Sequence, residues 1–122
     1  MKIGKLITSG VAVIGFSMTM AITTTSIAEA ASSVVDEGKS IAFNKKKGNC
    51  LACHRIEGGR MAGDIAPPIL MMKMRYPNKE VLRAQIWDAT ASNPDTVMPP
   101  FGRHHILSES EVDKVTEFIY GL

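Results

Sequence analysis

Three stretches of the chain repeat their apolar positions every three or four residues, the spacing that gathers them on one side of a helix. In the first, Val34, Val35, Gly38, Ile41 and Ala42 share a face. Ser33 is placed to cap it, Asp36 and Glu37 suit its first turn, and Gly48 is expected to stop it. The second opens on Asn78 as cap, sets Leu82, Gln85, Ile86 and Ala89 on one side with Trp87 flanking, and ends at Asn93-Pro94. The third begins with Ser108-Glu109-Ser110-Glu111, a capping box in which the Ser108 hydroxyl and the Glu111 carboxylate each accept from the other's backbone amide. Leu107 and Val112 stand where a hydrophobic staple would. Val112, Val115, Thr116 and Ile119 form the stripe, and Gly121 can end the helix.

No run of four or more residues alternates apolar with polar, so no sheet is expected and the fold class is all-α. Between the helices lie Gly- and Pro-rich loops: Gly58-Gly59, Ala66-Pro67-Pro68 and Met98-Pro99-Pro100-Phe101-Gly102. Short helices joined by long ordered loops describe a chain wrapped around something. Residues 6–22 follow another pattern, apolar or small and without a charge, behind Lys2 and Lys5 and ahead of Ala28-Glu29-Ala30-Ala31. That order reads as a secretory signal over residues 1–30, cut after Ala30, with a domain at 31–122 exported to the periplasm. A retained anchor is the alternative. The run is short for a span of about 20 apolar residues, and Thr8, Ser9, Gly10, Ser17 and Thr19 interrupt it.

Charge changes the picture little. The chain holds 14 basic and 12 acidic residues; without Lys2, Lys5 and Glu29 the balance is 12 to 11. A near-neutral domain is not a nucleic-acid binder, which would carry a basic face. Lys45-Lys46-Lys47 reads as a solvated helix end, with a docking patch for an acidic partner as the lesser reading. Composition matters more. Only Phe43, Tyr76, Trp87, Phe101, Phe118 and Tyr120 supply aromatic bulk after residue 30. A domain not far above about 70–80 residues rarely stands on its core alone, and exported ones usually add several disulfides. Here Cys50 and Cys53 are the only cysteines, and a bridge between them would close too small a loop to contribute much.

These two cysteines sit in Gly48-Asn49-Cys50-Leu51-Ala52-Cys53-His54, and C-x-x-C-H is the attachment signature of c-type haem. If Cys50 opens a helical turn, Cys53 at i+3 and His54 at i+4 share its side. Two thiols then reach the two vinyl groups on one porphyrin edge, and the imidazole reaches the iron. A thioredoxin-like pair would need a strand-to-helix junction, and a zinc site two well-spaced ligand pairs, which the adjacent His104 and His105 do not make.

An axial position remains on the iron, and methionine is its common occupant. Met71, Met72 and Met74 crowd an apolar stretch and read as core filler, while Met61 follows His54 too closely to cross a porphyrin. Met98 lies 44 residues past His54, and Pro99-Pro100 stiffen the backbone beyond it, so Met98 is the expected second axial ligand of the iron beside His54. His104 and His105 read as surface residues, and one of them is the rival ligand. His54 needs a partner for its other ring nitrogen, and the Pro67 and Pro68 carbonyls are candidates; a plain loop kink is the alternative. Trp87 reads as a packing aromatic rather than an electron conduit.

The first helix, Cys50-Leu51-Ala52-Cys53-His54, Ala66-Pro67-Pro68-Ile69, the Met98 loop and the final helix together resemble class I cytochrome c across residues 31–122. The resemblance implies a small cytochrome c fold around one covalent haem c. It also implies that the Pro67 carbonyl accepts the histidine proton. The family's usual glycine before that proline is Ala66 here. Gln85-Ile86-Trp87-Asp88-Ala89-Thr90-Ala91 and Thr96-Val97-Met98-Pro99-Pro100-Phe101-Gly102-Arg103-His104 resemble, more narrowly, SoxX, the monohaem subunit of SoxAX cytochromes. That likeness implies a periplasmic heterodimer with a SoxA-like haem subunit that joins thiosulfate to a cysteine of a SoxYZ-like carrier protein. Electrons would leave to a downstream cytochrome c acceptor, with no membrane contact after cleavage. Sulfur transfer needs a free thiolate, and a chain whose two cysteines hold haem has none. The expected role is therefore electron transfer, without a catalytic residue. A free electron carrier and a thiol–disulfide oxidoreductase are the alternatives.

Overall fold

Three helices form where the apolar spacing puts them, but their ends move. The computed structural model describes residues 25–122. Most of the expected secretory segment, residues 1–24, lies outside them. Helix α1 covers Thr25–Phe43. Ser33 is not its cap: the hydroxyl donates to the Ala30 carbonyl at 2.8 Å, inside the helix. Ala30 and Ala31, strong helix formers, carry the helix upstream past that point. Its C-terminal end is also earlier than Gly48. The chain leaves at Asn44, whose side chain and carbonyl take the amides of Lys46 and Lys47 at 2.9 and 3.0 Å.

Helix α3 (Lys79–Trp87) is capped by Asn78, which accepts from the Glu80 amide at 2.9 Å. It stops at Asp88 rather than at Asn93-Pro94, and Ala89 falls in a separate 3-10 turn, Ala89–Ala91. Asp88 causes the break: its carboxylate accepts from the Thr90 amide and so starts the next turn. Helix α2 (Met72–Arg75) has no forerunner in the apolar pattern; four residues are too few for a period. Among the described residues there is no strand, only an isolated parallel bridge between Ile56 and Ile69. No helix among them is long and apolar enough to cross a membrane.

Helix α4 (Glu109–Tyr120) is the hub. The capping box is present in full: the Glu111 amide donates to the Ser108 hydroxyl at 3.3 Å, and the Ser108 amide to the Glu111 carboxylate at 3.0 Å. The helix ends before Gly121 as expected. Gly121 has φ −76°, so the left-handed freedom of glycine is not what ends it. Val112, Val115, Thr116, Phe118 and Ile119 are buried, and the Thr116 hydroxyl is satisfied by the Val112 carbonyl at 2.7 Å. Phe118 widens the expected stripe because α4 is covered on two sides, by α1 and by α3.

At the α1 crossing, a Cβ on Gly38 would stand 2.0 Å from the Lys114 carbonyl oxygen, so the two backbones touch there and only glycine fits. Phe43 meets Phe118 edge to face at 5.7 Å. Glu37–Lys114, Lys79–Glu117 and Arg83–Asp113 tie α4 to its neighbours at 2.5, 2.5 and 2.6 Å, and Lys47 pairs with Glu111, so it is more than a solvated lysine. Exposed pairs of this kind contribute little, about 0–1 kcal/mol each. Apolar burial contributes more, about 1.5–3 kcal/mol for each of Leu107, Val112, Val115, Phe118 and Ile119. Ser108→Ala removes the cap at the hub. We expect it to lower stability by about 1 kcal/mol, read as a lower denaturant midpoint at unchanged slope. An unchanged midpoint would show that the box contributes nothing.

Candidate cofactor site

The turn carrying the two cysteines leaves α1 through a tight bend. Gly48 is buried and its amide donates to the Ile41 carbonyl at 3.2 Å; a Cβ there would stand 2.9 Å from that oxygen and 3.4 Å from the Cys50 sulfur. Asn49, at φ 47°, reverses the chain, and asparagine tolerates this left-handed conformation better than most residues. Cys50–Ala52 then form one 3-10 turn, and the amides of Cys53 and His54 both donate to the Cys50 carbonyl, at 3.2 and 2.9 Å. Cys50, Cys53 and His54 are thus consecutive corners of one hydrogen-bonded turn, each half-buried, and neither thiol is in a disulfide.

A loop running from His54 to Ile69 folds back over this turn. The Gly63 amide donates to the Leu51 carbonyl at 2.7 Å, the Ala66 amide to the Cys53 carbonyl at 3.0 Å, and the Ile69 amide to the Arg55 carbonyl at 2.9 Å. Two glycines permit the approach: a Cβ on Gly63 would stand 2.2 Å from the Ala52 oxygen, and one on Gly59 would stand 2.3 Å from Leu51. Neither contact has a local signature, because each is made with residues several positions away. The loop delivers the Pro67 carbonyl to 2.7 Å from His54 Nδ1. A carbonyl only accepts, so Nδ1 carries the proton of this bond and Nε2 is the nitrogen left to face a ligand. Arg75 in turn donates to the Pro68 carbonyl at 2.9 Å.

The methionines separate by burial. Met72 alone of its trio is buried; Met71 and Met74 are exposed, so core filler describes one of the three. Met61 is 89 % exposed. Met98 is half-buried and packs, with Cys50, Leu51, Ile69, Tyr76 and Trp87, against the central apolar cluster. Its amide is held by the Thr96 hydroxyl at 3.2 Å. Just beyond, the Gly102 and Arg103 amides both donate to the Trp87 carbonyl, at 3.0 and 3.3 Å. His104 and His105 are exposed, as expected.

Charge around these side chains is sparse. Burial pushes the Cys50 thiol up to about 11. A thiol held protonated by burial in this way is a poor nucleophile for thiol–disulfide exchange. No cluster of His, Cys, Asp or Glu suited to a metal ion exists among the described residues. The Thr90 hydroxyl, donating to Asp88 at 2.5 Å, holds that carboxyl below its ordinary range against some opposing burial, with Arg103 and His104 adding to the effect.

The donor set on this turn therefore consists of two unpaired thiols and one imidazole oriented by the Pro67 carbonyl, while the half-buried Met98 thioether stands in its own loop at the edge of the apolar cluster. It fits a flat apolar macrocycle with a central iron, held at one edge through sulfur, and fits no free metal ion. A family model described as Cytochrome c matches residues 35–122. No curated protein matches the chain.

Proposed function

The chain belongs to the cytochrome c family, electron-transfer proteins with covalently bound haem c, and from that premise we propose the roles of its residues and its setting. Cys50 and Cys53 would hold the haem covalently through their sulfurs, and His54 and Met98 would ligate its iron. The bound haem supplies one-electron chemistry, alternating between ferric and ferrous iron. The carrying observation is the 2.7 Å hydrogen bond from His54 Nδ1 to the Pro67 carbonyl, made one residue after the second of two unpaired cysteines. It fixes the ring's tautomer and orientation, and a donor held this way is more basic toward iron. Leu51, Ile69, Tyr76 and Trp87, partly buried against the core, are the apolar side chains that would pack on the macrocycle. Low polarity there limits reorganisation when charge changes by one electron.

The setting we propose is the periplasm, after export on residues 1–30. The partner is a SoxA-like haem subunit. The pair couples thiosulfate to a cysteine of a SoxYZ-like carrier, this chain accepting the electrons and passing them to a downstream cytochrome c. The likeness of the strings around Trp87 and Met98–His104 supports this reading. So does the use of both cysteines, Cys50 and Cys53, in haem attachment, which leaves no free thiol here and assigns sulfur chemistry to the partner. Purification from the native host, with a visible spectrum and co-purification, tests it. A stable heterodimer in which the partner carries its own haem is the expected result. A coloured monomer that retains no partner would overturn the complex and leave a diffusible electron carrier.

A further inference from the structure

Three potential axial donors lie within one short segment: Met98, His104 and His105. Imidazole is a strong ligand for haem iron and a thioether a weak one, so a segment free to slide would expose Met98 to competition from within its own loop. The turn carrying the two histidines is anchored on both sides. Downstream, Leu107 is 2 % exposed and its amide donates to the Phe101 carbonyl at 3.0 Å. Upstream, Gly102 is buried against the indole of Trp87. A Cβ at Gly102 would stand 2.0 Å from Trp87 Cε3 and 2.2 Å from Cδ2, well inside contact distance. No residue with a side chain can keep this contact.

The Trp87 carbonyl holds the same point by accepting from the Gly102 and Arg103 amides, and Arg103 Nε lies 3.2 Å from the Asp88 carboxylate. Arg83 stacks its guanidinium 5.6 Å from the ring centre of Trp87, steadying the indole. The two histidines therefore sit in a turn closed by His104 to Pro100 and His105 to Gly102 amide–carbonyl bonds, at 3.0 and 2.9 Å, and both are exposed. Moving either imidazole to the place of Met98 means lifting Gly102 off Trp87.

Resting on Met98 as the distal ligand, we propose that the Gly102–Trp87 contact is a register lock that selects Met98 over His104 and His105. Trp87 and Gly102 are then positioning residues, which explains a tryptophan at the end of α3 beyond simple packing.

The test uses the haem-loaded protein. Gly102→Ala is expected to lose most of the iron–sulfur charge-transfer absorption of the oxidised form, lower the reduction potential, and show an electron paramagnetic resonance spectrum of two nitrogen ligands. Adding His104→Gln and His105→Gln should abolish that nitrogen-ligated spectrum. Gly102→Ala with Trp87→Leu, which makes room for the methyl, should restore the sulfur band. The rescue decides the matter even where Gly102→Ala alone holds haem poorly. A Gly102→Ala holoprotein with full band and unchanged potential overturns the lock, as does a failed rescue. Met98→Ala separates this from the underlying reading: if it keeps the band, the ligand assignment fails. If it loses the band while Gly102→Ala keeps it, only the lock fails.

Discussion

Replacing Cys50 and Cys53 together by alanine is expected to leave a colourless chain without cooperative tertiary structure. The reasoning starts from size. The described apolar core is one cluster centred on α4, and its fully buried large side chains are Leu107, Val112 and Val115. A core of that extent stands near the margin at which a small domain folds unaided. A group that packs only in the folded state adds stability that grows with the logarithm of its effective concentration, and a covalent group is always at hand. The two thioether links therefore set the effective concentration of the macrocycle, and losing both lets it diffuse away. Each single replacement keeps one link, so pigment remains attached with weaker stability. Three readouts check this. Mass spectrometry gives the number of links, extraction with acidified solvent shows whether colour stays with protein, and circular dichroism follows the fold. Colour that stays with the doubly substituted chain under denaturing extraction would refute the assignment of both cysteines.

The parts of this fold written in short-range pattern are legible in the sequence, and the parts written in contact are not. The Ser108–Glu111 box lies within four residues, and the structure has it in the place its spacing indicates. The Cys50–His54 turn is equally local, and Cys50 does open a helical turn. Residue chemistry alone reaches the Pro67 carbonyl only as one of two open options; the family resemblance favours it, and the hydrogen bond exists. What escapes has a common cause. Phe118 looks peripheral to a single stripe because nothing in α4 itself says that two helices cover it. Asp88 looks like one more helical residue because its competing bond to the Thr90 amide becomes visible only when the helix breaks. Ser33 looks like a cap because a serine ahead of acidic residues suits one, yet the alanines before it continue the helix. The most informative glycines, Gly38, Gly63 and Gly102, stand where a Cβ would strike a distant backbone or an indole. Their reason is tertiary, and no window along the chain contains it.

Removing the Met98 thioether is expected to change the iron more than any other single substitution outside the attachment turn. Met98→Ala should abolish the iron–sulfur charge-transfer band of the oxidised form while pigment stays covalently attached. The cysteines are untouched, and His54 keeps its Pro67 partner. The fold should survive too. Met98 is half-buried at the edge of the apolar cluster, and its loop stays pinned by Gly102 and Arg103 on the Trp87 carbonyl. Met98→His supplies a harder nitrogen donor in the same place, which favours ferric iron. Axial ligand identity moves haem potentials over roughly 0.8 V among proteins, and this exchange should lower the potential by a sizeable part of that range. Spectroelectrochemical titration of both variants beside the parent checks the pair of effects. The two substitutions need not agree in sign, since an empty position and a nitrogen ligand are different perturbations, but they must both remove the sulfur band. A band that persists in either would mean that sulfur reaches the iron from another methionine. Met71 and Met74, exposed rather than built into the core, would then be the first to replace.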